Sequence, residues 1–395
     1  MSQAHKLSLR IARQVRDLPP SGIRRFFDLV MGMEDVISLG VGEPDFSTPW
    51  RICDAAIEAL QRGYTSYTSN LGLLPLRQAI ADHLRDEFGV EYDPESEIIV
   101  TNGVSEALDL AARALLEPGD EVLVPEPCYV SYKATVSLAG GKPVPVATRA
   151  EDEFKLQVEA LEEAVTDRTR AIIIGYPNNP TGAVMTAEEL APIAGFAEAH
   201  RLAVFSDEIY AHLTYSGRHT CFASLPGMRE QTVLLNGFSK AWAMTGWRLG
   251  FACAPAEVIA ALNRIHAYTA LCANTLGQFG AIEALANCQR ERAEMLQAYD
   301  ERRRLLVSGL RELGLECFEP RGAFYAFPSV EATGLSDEEF AERLLMEHQV
   351  AVVPGRAFGE AGEGHVRCCY ATSMENLRVA LERIGDFLDS LPRQV

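Results

Sequence analysis

The chain has 395 residues, 48% of them hydrophobic and 23% charged, and a formal charge of −19. That is the balance of an ordinary globular protein with room for two domains, and its charge excludes nucleic acid, whose binding rests on Lys and Arg neutralising phosphates. Anionic membrane surfaces are excluded on the same ground, and no apolar run reaches the about 20 residues that a membrane span needs. Nine scattered cysteines without a CxxC fit reduced thiols in a cytoplasmic protein better than a disulfide framework.

The first 25 residues hold Arg10, Arg13, Arg16, Arg24 and Arg25 against one acid, Asp17. They read as a surface arm, with a transit peptide as the compositional alternative. From about residue 97 to 253 short aliphatic runs alternate with helical patterns, which predicts an α/β fold. The first run, 97–100, meets a glycine turn, after which Leu108, Ala111, Ala112 and Leu115 recur at helical spacing. "EPGD" (117–120) stops that helix and "EVLV" opens the next strand. "AIII" (171–174) ends in "GYPNNPTG", a turn by composition. "LAVF" (202–205) ends at Ser206 and Asp207, and "TVLL" (232–235) at Asn236 and Gly237. From Thr275 a helical pattern runs past residue 300, long enough to bridge two domains. The last hundred residues mix short strands, "AFYAF" and "GHVRCCYA", with amphipathic helices, and predict a smaller α+β domain.

The polar residues that look out of place fall at or just after the C-terminal ends of the predicted strands, where open α/β sheets bind ligands. Gly103, Val104 and Ser105 open a helix, and their backbone N–H groups could cradle a phosphate, although many ordinary βα turns look alike. Asp207 either caps the next helix or holds a cation. Tyr210 lies one turn further on if a helix starts there. Lys240 stands in the apolar stretch "NGFSKAWAMTGWRLG", where burial favours the neutral, nucleophilic amine. Arg248 supplies a planar cation suited to phosphate. Together these residues point to pyridoxal phosphate, which needs a lysine for its aldehyde, a carboxylate for its ring nitrogen and N–H groups with an arginine for its phosphate.

The chain resembles the class I/II aminotransferases among the fold-type I pyridoxal-phosphate enzymes, close to the bacterial and archaeal aspartate and aromatic aminotransferases. The likeness runs from "PSGIRRF" to "YATSMENLRVALERI" through "GVGEPDFSTP", "YPNNPTG", "SDEIY", "SKAWAMTGWRLG", "GAFYAF" and "PGRAFG". It implies a large domain (48–290) with a mainly parallel central sheet flanked by helices. It also implies a small domain (291–395), joined by part of the N-terminal segment (1–47). The resemblance makes Lys240 the Schiff-base lysine and proton shuttle, and pairs Asp207 with the pyridine nitrogen. Tyr210 and Asn179 go to the ring's 3′ oxygen, and Tyr129 stacks on the ring. Gly103, Val104, Ser105, Ser239 and Arg248 match the phosphate cup. Tyr67 matches a tyrosine that reaches the partner subunit's phosphate, which implies a homodimer with shared sites. Arg367 matches the residue that grips the substrate α-carboxylate, beside Gly42, as suits a planar fork.

Two departures bear on function. Gly237 stands where many relatives have a phosphate-binding serine. Ser105 stands where some aspartate-specific relatives have a lysine, and Lys133 is a candidate to replace it. With "TALCANTLGQ" (269–278) and "PSGI" expected near the substrate, both poor in cations, the reading is a ping-pong transaminase of broad specificity. Aromatic and aliphatic donors are favoured, with aspartate second and 2-oxoglutarate as acceptor. The alternatives are an aspartate-specific aminotransferase and a cysteine-S-conjugate β-lyase on the same cofactor. Tyr129 and Lys133 match the Tyr-x-x-x-Lys of short-chain dehydrogenases, but the required glycine-rich turn is missing. A DNA-binding regulator would need a basic helix-turn-helix segment. A Ser239–Lys240 hydrolase is disfavoured because neighbours on an extended segment point apart. The histidines have no metal-like spacing, so no metal is expected.

Overall fold

The computed structural model describes residues 11–18, 33 and 35–392, and among these described residues there are twelve strands. The strands are β1 (Ile37–Ser38), β2 (Ile98–Thr101), β3 (Glu121–Glu126), β4 (Lys142–Ala147), β5 (Thr169–Ile174), β6 (Ala203–Asp207), β7 (Thr232–Gly237), β8 (Gly250–Cys253), β9 (Tyr325–Ala326), β10 (Val350–Ala351), β11 (Val353–Pro354) and β12 (Val366–Cys369). Seven of them form one sheet in the order β2-β8-β7-β6-β5-β3-β4. Neighbours are parallel except at β8, which runs antiparallel to both β2 and β7. Covered by helices on both faces, such strands read as continuous aliphatic runs; Ile98, Ile99, Val100, Val122, Leu123, Val124, Ile172 and Ile173 have no exposed surface. Each such side chain contributes about 1.5–3 kcal/mol by leaving water.

Two strands of this sheet were not predicted. β4, "KPVPVA", is half exposed and holds two prolines, which a sheet tolerates at its edge. β8, "GFAC", is short and glycine-led. The helix Val104–Leu115 follows β2 as expected and buries Leu108, Ala111 and Ala112 against Ile259 and Leu262. No helix follows Asp207, where residues 209–212 form a turn.

The helical pattern from Thr275 is two helices, Thr275–Asn287 and Gln289–Glu312, broken at Cys288 (φ −113°, ψ 29°). Tertiary packing decides the break, since the residues before it join a different core from those after it. Ala281, Ala284, Leu285 and Cys288 pack with the helix Leu74–Phe88. Met295, Tyr299 and Leu306 pack instead with Phe340, Ile384 and Phe387 in a second core. That second core lies under the antiparallel sheet β11-β12-β9. The early strand β1 pairs in parallel with β10, Ile37 opposite Val350, so the start of the described chain is stitched to its last hundred residues.

Candidate active site

The turns at one edge of the large sheet converge. Gly103–Ser105 follow β2, Tyr129 follows β3, Asn179 follows β5, Asp207 ends β6, and Lys240 follows β7. Arg248 arrives at the same edge because β8, which it precedes, is antiparallel. Between this edge and β9 and β12 lies a cavity of about 570 Å³. Of the predicted site residues, Gly42, Val104, Ser105, Tyr129, Asn179, Asp207, Tyr210, Ser239, Lys240, Arg248 and Arg367 line it. Gly103 is not among the lining residues but packs against Arg248, which is. Tyr67 is not brought in; it is 80% exposed on the single chain. Residues 269–278 do not line the cavity either, contrary to expectation, and "PSGI" lies outside the described residues.

Lys240 sits in a turn, and Ser239 beside it faces the same cavity, so the premise that the two point apart does not hold. The Lys240 Nζ donates to the Gly42 carbonyl at 2.6 Å. Burial lowers its pKa to about 8 despite the nearby Glu43, and the charges of Arg367 and Arg248 add to the lowering. Asp207 is held on both oxygens. The Tyr132 hydroxyl donates to Oδ2 at 2.8 Å and the Ile209 N–H to Oδ1 at 3.2 Å. Burial raises its pKa to about 6, opposed by these bonds and by Lys240. Gly175 makes room for Tyr132, since a Cβ there would fall 2.7 Å from its hydroxyl.

Gly103 caps the Val104–Leu115 helix at φ +80° with no side-chain cap. The Arg248 guanidinium takes the space of the missing side chain; a Cβ on Gly103 would lie 2.7 Å from Nη2. A cation beside the positive end of a helix is unfavourable unless an anion joins them. Gly237 has its own steric reason: opposite Gly250 in the ladder, its Cβ would come within 2.8 Å of the Gly250 Cα. A serine does not fit there without backbone movement.

Arg367, on β12 and 3% exposed, donates to Asn179 Oδ1 at 2.9 Å and to the Gly40 carbonyl at 2.6 Å. Its Nε is buried without a partner among the described residues. Its guanidinium stacks over Tyr325, 4.5 Å from the ring centroid. Among the described residues no carboxylate forms an ion pair with Lys240, Arg248 or Arg367. Three cations, one with an orphaned N–H, thus surround a cavity in a strongly acidic chain. The residues fit pyridoxal phosphate: an amine with a lowered pKa, a buried carboxylate, an anion cradle at a helix N-terminus, and a second anion site at Arg367.

Two side chains of this site escaped the sequence reading. Tyr132 and Tyr325 line the cavity and bond Asp207 and Tyr210 respectively. Tyr325 lies within the quoted "GAFYAF", and Tyr132 three residues after Tyr129, but nothing in the spacing names their partners. Lys133 is no cavity cation; it pairs with the buried Glu126.

The family model of aminotransferase class I and II matches residues 34–384. An aspartate aminotransferase of Pyrococcus abyssi is 50% identical over 93% of this chain and 96% of its own. An aromatic-amino-acid aminotransferase of Thermococcus litoralis is 48% identical over the same shares. The crystal structure of an aspartate aminotransferase from Thermus thermophilus with maleate superposes with a TM-score of 0.92 at 41% identity, covering 96% of this chain and all of that one. The chain therefore belongs to the class I and II aminotransferases, enzymes that use pyridoxal phosphate to move an amino group from an amino acid to a 2-oxo acid.

Proposed function

We propose that this aminotransferase takes a broad range of L-amino acids, aromatic and aliphatic donors before aspartate, and returns the amino group to 2-oxoglutarate. The observation that carries this reading is the set of cations around one cavity. Arg248 serves a phosphate, Lys240 the chemistry and Arg367 an α-carboxylate, so among the described residues no further Lys or Arg lines the cavity for a second carboxylate on the donor. Ser105 is neutral, Lys133 is engaged elsewhere, and Glu43 adds a carboxylate to the cavity wall. The aspartate and aromatic relatives support both ends of this range.

When bound, pyridoxal phosphate supplies an aldehyde for an amine and a protonated ring that takes up the electrons of a broken Cα–H bond. The rest is the work of side chains. The Val104 and Ser105 N–H groups, Ser239 and Arg248 would hold the phosphate, whereas the Gly103 N–H already donates to the Thr101 carbonyl at 2.8 Å. Asp207, as a carboxylate, would pair with the protonated ring nitrogen, and Tyr129 would stack on the ring. Tyr210 and Asn179 would donate to the 3′ oxygen; the Asn179 Oδ1 accepts from Arg367, which leaves its Nδ2 as the amide's donor side. Arg367 grips the α-carboxylate and fixes which Cα bond faces Lys240. Lys240, whose amine burial shifts towards the neutral form, would take the Cα proton.

The same reading makes the enzyme a cytoplasmic homodimer with Tyr67 serving the neighbouring subunit, for which its exposure on the single chain is the support. It divides the chain at about residues 47 and 290, supported by the helix break at Cys288. The test is a single turnover. Cofactor-loaded protein receives one L-amino acid without any acceptor, and the 2-oxo acid is counted by mass spectrometry. One equivalent per site, ranked phenylalanine and leucine over aspartate, is expected. Aspartate as the sole productive donor would overturn the specificity. Pyruvate and ammonia released continuously from a cysteine S-conjugate without acceptor would instead favour the lyase.

A further inference from the structure

Tyr325 belongs to β9, in the small sheet, yet its hydroxyl lies 2.7 Å from that of Tyr210 in the turn after β6. Both rings are buried and both line the cavity. Two hydroxyls share one hydrogen bond, so one proton is given to the partner and the other is free. The direction follows from the surroundings. Gly42 closes over the Tyr325 hydroxyl so tightly that a Cβ there would fall 2.4 Å from the oxygen. Tyr325 is 1% exposed, and Tyr210 is its only hydrogen-bond partner among the described residues. If Tyr210 donated, the Tyr325 proton would be buried with no acceptor, at a cost comparable to a lost hydrogen bond. If Tyr325 donates, that cost vanishes and the Tyr210 proton turns to the cavity. The Arg367 guanidinium 4.5 Å above the Tyr325 ring favours the same direction, because a cation over a phenol makes its O–H the stronger donor.

We infer that Tyr325 is a positioning residue that fixes the proton of the Tyr210 hydroxyl towards the cofactor's 3′ oxygen while its ring carries Arg367. The first role passes through a hydroxyl and the second through a ring, so the two separate chemically. This rests on the reading of Tyr210 as a cofactor ligand. Tyr325→Phe keeps the ring and removes the donor; Tyr325→Leu removes both.

The experiment is a double-mutant cycle on the full chain, with Tyr210→Phe, Tyr325→Phe and the double variant. The readouts are affinity for pyridoxamine phosphate by equilibrium dialysis and steady-state kcat and KM, with folding checked by thermal melts. Tyr325→Phe is expected to weaken pyridoxamine phosphate binding about five-fold, the loss of one neutral hydrogen bond, with KM for amino acids unchanged. The double variant is expected to match Tyr210→Phe alone, because Tyr325 acts through a hydroxyl that is already gone. Tyr325→Leu is expected to raise KM for every amino acid in addition. Fully additive losses, or a Tyr325→Phe variant that binds like the parent while Tyr210→Phe is impaired, would overturn the inference. If Tyr210→Phe itself binds normally, what fails is the assignment of Tyr210 to the cofactor, on which the inference stands.

Discussion

In protein freed of cofactor, Lys240 should titrate as a lysine with a pKa of about 8. Burial disfavours the ammonium, and Arg367 and Arg248 disfavour it further. At pH 7 such an amine is about one-tenth neutral, against about 0.03% for a lysine of ordinary value, a difference of ~300-fold in reactive form. The assay is a brief pulse of acetic anhydride at pH 6 to 11, with acetylation of each lysine read by peptide mass spectrometry. Limited access to the cavity lowers the absolute rate at Lys240, so the informative quantity is the midpoint of its pH profile. A midpoint near 8 is expected, moving upward in Arg367→Gln because one repelling cation is gone. A midpoint at or above 10 would refute the claim that this pocket prepares the amine before any cofactor arrives.

Arg367→Ala should lower kcat/KM about 10²-fold for every amino acid and 2-oxo acid alike, the scale of a lost charge-assisted contact; a loss confined to one donor class would contradict its role. Gly237→Ser should cost about 1–3 kcal/mol through overpacking against Gly250 and lower the melting temperature without tightening cofactor binding. Tighter binding would mean that the serine is accommodated after all. Tyr67→Phe should weaken cofactor retention in the assembled enzyme, and retention by the parent should fall with subunit dilution. Dilution-independent retention would remove Tyr67 from the shared site.

The strands of the large sheet that were legible, β2, β3, β5, β6 and β7, are those whose aliphatic runs are buried on both faces, so that composition alone marks them; β9 and β12 were legible as well, within "AFYAF" and "GHVRCCYA". β4 was masked by its prolines and half-exposed pattern, and β8 by its brevity. The break at Cys288 carries no glycine or proline; it comes from two cores competing for one helical pattern, which is a tertiary effect. In the site, the residues at strand ends could be found because a strand's end is a one-dimensional property. Tyr132 and Tyr325 could not, since their partners lie 75 and 115 residues away and only folding sets those distances. Gly237 shows the limit of likeness: comparison flagged a missing hydroxyl, whereas the ladder opposite Gly250 explains why no side chain stands there.

The carbonyls of Gly40 and Gly42, two residues apart on one short strap, receive Arg367 and Lys240 respectively. Folding has therefore already stripped much of the water from both cations and lent each a backbone dipole. An arriving carboxylate or carbonyl competes with a peptide group instead of with a hydration shell, and trades one acceptor for another. Both loans come from the same few residues. The molecule thus begins each encounter with its anchor and its nucleophile on a common tether.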